Sequence, residues 1–181
     1  MKNRFALLIT FILIFPAIAG AKNANIAIID VDKAINESLV YTSLQSTLEK
    51  QNLKYQQELK DYEVKIMALD KEIGQNPNKL NQNQLKKLKA ELSQFEIEAQ
   101  KVIHKHRISL DNAFSKAMEK IKISLFDILS KIAKEQNIQL ILPKSQTLYN
   151  TNSLDITKQV LQALDNNLKT VDVSFQELKN D

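Results

Sequence analysis

Along residues 54–73, apolar side chains fall at Tyr55, Leu59, Tyr62, Ile66, Leu69 and Ile73, in alternating steps of four and three. Nearly everything between them is charged or an amide. A stripe of that period is narrower than the face of a helix in a globular core and matches a coiled-coil seam. A second stripe runs through Leu85, Leu88, Leu92, Phe95, Ala99 and Val102, then drifts onto Ile103, Leu110, Phe114, Ala117, Ile121, Leu125, Ile128 and Ile132. Between the two lies 74-GQNPNK-79, a turn by composition. Long helices joined by a short turn run antiparallel, so the stripes predict a coiled-coil hairpin over 39–136 with its tip at 74–80. If Ile73 meets Leu85, opposing residue numbers sum to about 158. That register sets Tyr55 against Ile103, and it puts Asn52 and His106, two polar residues, at the same height.

The start of the second helix is marked three ways. Asn81 can cap, Gln84 stands at the third helical position to close a capping box, and Leu80 and Leu85 occupy the staple positions. Each helix should reach roughly 60–80 Å at about 1.5 Å per residue. One seam buries little against the ~1–2 kcal/mol per residue that ordering the backbone costs, so such a hairpin needs a base.

The flanks should supply that base. Residues 25-NIAIID-30 read as a buried strand, apolar on both faces through Ile26, Ile28 and Ile29. Asp30 then suits a helix N-cap, with Asp32 in the first turn; the pattern falters at Ser38, where a new cap can restart it. Beyond the hairpin, 138–142 reads as a second strand, with Ile138, Leu140 and Leu142, and 146–150 as a third. A short helix over 155–166 places Ile156, Val160, Leu161 and Leu164 on one face, and 169–181 reads as a flexible tail. The body is thus expected from 22–38 and 137–168. Three short strands and one helix are too little for a closed core in one chain, which predicts oligomerisation through Ile26, Ile28, Ile29, Ile138, Leu140 and Leu142. The fold class is mostly α with a small β part.

Residues 1–21 read as a cleaved signal peptide. Lys2 and Arg4 precede an apolar run from Phe5 to Phe15, Pro16 breaks it, and Ala19-Gly20-Ala21 forms an A-x-A site. A retained anchor is the alternative, but the run is shorter than the ~20 residues a span needs. The mature chain is then exported. Zero cysteines exclude disulfides, thiolate metal sites and a lipidated cysteine. Of 25 basic side chains, Lys2 and Arg4 leave with the signal, so 23 face 21 acidic ones, a net of +2. That charge is uneven: Lys79–Gln136 holds 12 basic and 7 acidic residues, Lys33–Ile73 only 6 and 7. The second helix is therefore the electropositive one and favours anionic surfaces or acidic clients. Lys86, Lys87 and Lys89 cluster near the tip as candidate anionic-ligand contacts, against the plainer reading of a solvated face.

Chemistry is thin. His104 and His106 are two apart and so point in different directions on a helix, which argues against shared metal ligation. Asp30 and Asp32 have capping roles and no nucleophile or histidine beside them. No glycine-rich phosphate loop and no catalytic constellation are found; no enzyme, cofactor or nucleic-acid partner is expected.

In this order — signal peptide, strand with 28-IIDVDKAINES-38, long hairpin, strand 138-IQLILP-143, helix 155-DITKQVLQAL-164 — the chain resembles the Skp/OmpH family of periplasmic chaperones across essentially its whole mature length. The family's marks, an Ile/Val-rich first strand ending in Asp plus a short helix and a late Asp-Ile/Leu-Thr helix start, fall on Ile28 to Asp30, Ala34 to Glu37 and Asp155 to Thr157. The resemblance implies a homotrimer with a small β-barrel-like body and three helical tentacles around a cavity. Unfolded outer-membrane proteins would be held there without ATP, in the periplasm. Some members carry a lipopolysaccharide site of basic residues, so an anionic lipid is a further candidate partner. The competing expectation is an exported structural or adhesive coiled-coil envelope protein without chaperone activity.

Overall fold

The computed structural model describes residues 24–75 and 80–175. The signal segment with Ala19 and Ala21, tip residues 76–79 and residues 176–181 fall outside the described residues. The chain order is β1 (Ile26–Ile29), α1 (Val31–Asn36), α2 (Leu39–Gln75), α3 (Gln82–Glu135), β2 (Leu140–Pro143) and α4 (Thr157–Asn167).

Local chemistry sets the element boundaries. Asp30 caps α1, its carboxylate accepting from the Lys33 N–H at 3.0 Å. The chain breaks at Ser38, whose hydroxyl donates to the Ile35 carbonyl at 2.6 Å and accepts from the Tyr41 N–H at 3.3 Å, so α2 restarts there. Asn81 and Gln84 form the reciprocal capping box that opens α3. At the far end of α3, Asn137 takes a positive φ of 54° and the Ile138 N–H reaches back to the Ala133 carbonyl at 2.8 Å. This is a Schellman closure with asparagine in the left-handed position.

That closure corrects one boundary. The second strand was expected from Ile138, but its N–H is already used by the helix end, and β2 begins at Leu140. The third strand over 146–150 is absent. The segment instead carries 3-10 turns at Lys144–Gln146 and Asn152–Leu154, with Leu148 and Tyr149 almost wholly in solvent. An extended segment forms a strand only against a ladder partner, and the turn at Lys144–Gln146 follows β2 at once, so 146–150 does not join its free edge. β1 and β2 run parallel, with Ile26 opposite Leu140, Ala27 opposite Ile141 and Ile28 opposite Leu142. The other side of β1 takes a bridge from Ile28 to Asp155 and the Ile156 N–H at 2.9 Å.

The core sits at the base of the hairpin. β1, α1, the start of α2, the last third of α3 and α4 bury Ile29, Val40, Leu44, Ile121, Val160 and Leu164 almost completely. The orphan strands expected from sequence are thus partly covered within one chain: Ile28 and Ile29 are buried, Ile26, Ile138 and Leu142 half-buried, and Leu140 alone of the six is exposed. α4 closes the core because its apolar face points into it. The tail also differs from expectation up to residue 175. Leu168, Val171 and Val173 pack on the core, and Lys120 Nζ donates to the Asp172 carbonyl at 3.3 Å.

One polar network ties β1 to α4. The Asp30 N–H donates to the Thr157 hydroxyl, the Thr157 N–H to Asp155 Oδ1, and Lys144 Nζ stands 3.1 Å from Asp155 Oδ2. Burial pushes the Asp155 carboxyl up, but hydrogen bonds from Thr157 and the Lys144 ammonium outweigh it and hold the group below its ordinary value. A carboxyl that ionises more readily in the folded chain contributes stability present above its unfolded pKa and lost as pH falls through the folded one. Below about pH 4 the fold should therefore lose stability, and Asp155→Asn should flatten that acid limb. Thermal melts followed by circular dichroism across the acid range check this, and equal slopes for parent and variant would count against it.

Candidate functional site

Among the described residues no group of three or more His, Cys, Asp or Glu is placed to hold a metal ion. No described helix is long and apolar enough to cross a membrane. α3 alone, at 54 residues, extends about 80 Å, and most of it stands clear of the base core.

Along the seam, Leu59, Tyr62, Ile66, Leu69 and Ile73 of α2 and Leu85, Leu88, Leu92, Phe95 and Ala99 of α3 are all half-buried. Tyr55 is buried at 8% exposure and Ile103 is exposed at 51%. The opposition of these two is therefore corrected. Tyr55 stacks on His106, ring centroids 3.7 Å apart and planes 7° from parallel, and its hydroxyl donates to Ser109 Oγ at 3.1 Å. Tyr55 therefore packs against His106 and Ser109, about one turn along α3 from the residue expected opposite it, and Val102, not Ile103, continues the half-buried side. The reason is steric. Below His106 the buried side of α3 carries Ser109, Ala113 and Ala117, small residues whose volume suits a close helix contact, and Phe114, next to Ala113 in sequence, lies outward at 39% exposure. Ala117 lies on the expected stripe, while reading for large apolar residues missed Ser109 and Ala113; the four-residue spacing back from Ala117 was the available signal.

The outer faces carry separate apolar side chains in a charged field. Leu53, Val64 and Met67 on α2 and Ile97, Ile103 and Ile108 on α3 are each more than two-fifths exposed, with charged residues around them. Nearer the base, Phe114, Met118, Ile123 and Phe126 line an open apolar groove edged by Glu119, Lys122 and Asp127. Lys65 reaches across the hairpin to sit 5.3 Å from the Phe95 ring centre. Lys86, Lys87 and Lys89 are exposed near the top of α3. His104 is exposed while His106 is buried, so the two histidines serve different surroundings.

Comparison with known proteins agrees with this architecture. Residues 25–164 match the family model described as outer membrane protein (OmpH-like). An uncharacterized protein of Aquifex aeolicus (strain VF5) is 26% identical over 172 residues, spanning 91% of this chain and 97% of that one. A crystal structure from Caulobacter crescentus CB15, described as a candidate outer membrane chaperone (OmpH-like), superposes with a TM-score of 0.79. It covers 92% of this chain and 99% of its own at 19% identity, a likeness of fold. Matched from its first strand into its last helix, the chain belongs to the OmpH-like outer membrane protein family.

Proposed function

We propose that the mature chain is an ATP-independent holdase that shields unfolded outer-membrane β-barrel proteins in the periplasm, working as a homotrimer whose hairpins wall a cavity. The observation that carries this reading is the hairpin itself. It projects far beyond its core, keeps a thin seam, and spreads single exposed apolar residues through a charged surface. Many weak contacts of that kind hold a client by avidity in an enclosed volume and still let it go. Leu140 in β2 and Leu148 and Tyr149 shortly after it are exposed, and among the described residues β2 pairs only with β1, leaving its outer edge open. An unpaired edge with apolar neighbours suits completion by sister subunits.

The direct test dilutes a urea-unfolded β-barrel protein into buffer and follows aggregation by light scattering. The mature protein should suppress the signal in proportion to its concentration. A passive coiled-coil brace would leave it unchanged, and that result would end the holdase reading. Sizing by static scattering should return three subunits.

Electrostatics makes a second, separable expectation. The basic excess of α3 draws acidic clients, and salt screens exposed charges beyond about 8–10 Å near physiological strength. Raising sodium chloride from about 50 to about 500 mM, where screening tightens severalfold, should weaken client capture while hairpin helicity stays level. Lys86, Lys87 and Lys89 remain the proposed contacts for an anionic lipid or lipopolysaccharide. Their joint replacement by glutamine should reduce binding to anionic vesicles if they serve that role.

A further inference from the structure

Beyond α4 the chain continues over α3. Leu168 leaves the helix in extended backbone, at φ −141° and ψ 97°. From there burial alternates: Val171, Val173 and Phe175 are half-buried, Asp172 and Ser174 exposed. A period of two is the pleat of a strand lying on one face. Val171 and Val173 pack on the base core, and Leu168, Val171 and Asp172 share a cleft with Lys120, Ile123 and Asp127. Yet this strap joins no sheet among the described residues. None of them makes a main-chain to main-chain hydrogen bond with Lys169 to Phe175; the Asp172 carbonyl takes the Lys120 ammonium instead.

With one face packed and the other in solvent, the N–H and C=O groups of the strap point sideways, over the surface of α3. Ile123 and Asp127 line both the strap's cleft and the open groove of Phe114, Met118 and Phe126, so the groove begins where the cleft ends. Its floor is in solvent, with Phe126 70% exposed. From Phe114 to Phe126 it runs about 18 Å along the helix, the length of roughly five or six residues of extended chain.

The two features specify one occupant. An unpaired strand edge takes another extended backbone, and an apolar floor beside it takes alternate side chains of that backbone. A helix would cover the floor and leave the edge unpaired. A strand polar on both faces would do the reverse. A segment apolar at every second position satisfies both, and that alternation is the pattern of an outer-membrane β-strand.

We infer that Thr170 to Phe175 and the Phe114–Phe126 groove form a docking site for one extended client segment, which adds to the strap as a further strand. The identity of the occupant rests on the holdase reading. The site gives that reading a place: a directional contact at the fixed base of the hairpin, beneath walls that offer only scattered ones.

The probe is a labelled peptide alternating valine and threonine, about six residues long to match the groove, titrated with the mature protein and followed by fluorescence anisotropy. Binding should saturate. Replacing the central amides of the peptide by esters keeps its side chains and removes its donors, and should weaken binding about tenfold. Phe126→Ser, at an exposed position, should weaken it by a similar factor; Ile123→Ser is read the same way should the first variant misfold. Equal binding of amide and ester peptides, or of parent and variant, overturns the docking site. A second copy of this chain seated on the strap would leave the peptide unbound and lower the subunit count of Phe126→Ser, which also overturns it. The aggregation assay separates the two readings. Suppressed aggregation without peptide binding removes the docking site and keeps the holdase. Peptide binding that needs the amides and the groove, without suppression, keeps the site and removes the holdase.

Discussion

Ile121→Ala should lower the unfolding free energy by about 2–5 kcal/mol, the range for emptying a fully buried aliphatic site. The same truncation at Ile66 should cost about 1 kcal/mol, because a half-buried side chain loses less contact and leaves no sealed cavity. Ile121 has no solvent exposure and lies in the base core, while Ile66 sits on the thin seam. Urea titrations at one fixed protomer concentration, read by far-ultraviolet circular dichroism, compare the two directly. Equal losses would mean that the upper seam is packed as firmly as the base, and the division of the hairpin into two parts would fail.

Backbone hydrogen exchange should show the same gradient without any substitution. Amides of α3 between Ala113 and Ile132 should exchange at least about a hundredfold more slowly than those between Leu85 and Val102. Both stretches are regular helix, so propensity does not separate them. What separates them is the buried ladder beneath the lower stretch and the half-exposed seam beneath the upper one. Opening the upper stretch uncovers little apolar surface, so its local opening free energy is small. Exchange read peptide by peptide with mass spectrometry resolves this. Uniform protection along α3 would contradict it.

Most of the architecture was legible in sequence because its signals are local. The caps at Asp30, Ser38 and Asn81 stand where composition places them, and the helical period either side of Gly74 is long and regular. What was not legible depends on geometry between distant segments. The apolar ladder alone does not say which residue of α3 meets Tyr55, and the stack on His106 rather than Ile103 depends on how two distant segments pack. Ile103 and Phe114 continue the apolar period yet face outward, while the smaller Ser109 and Ala113 join Ala117 in the buried seam. The stretch 146–150 has strand-forming residues but no ladder partner in its own chain, which no local rule records. Val171 and Val173 looked like tail because their partners on α3 lie some fifty residues earlier.

The parallel pairing of β1 with β2 has a consequence for the order in which the molecule is made. Ile26 and its partner Leu140 are separated by the entire hairpin, so the first strand is synthesised long before its mate exists. Loop closure of that span has little to recommend it until the two helices have zipped and brought their roots together. The arms are thus built before the shoulder that carries them, and the joint is sewn last.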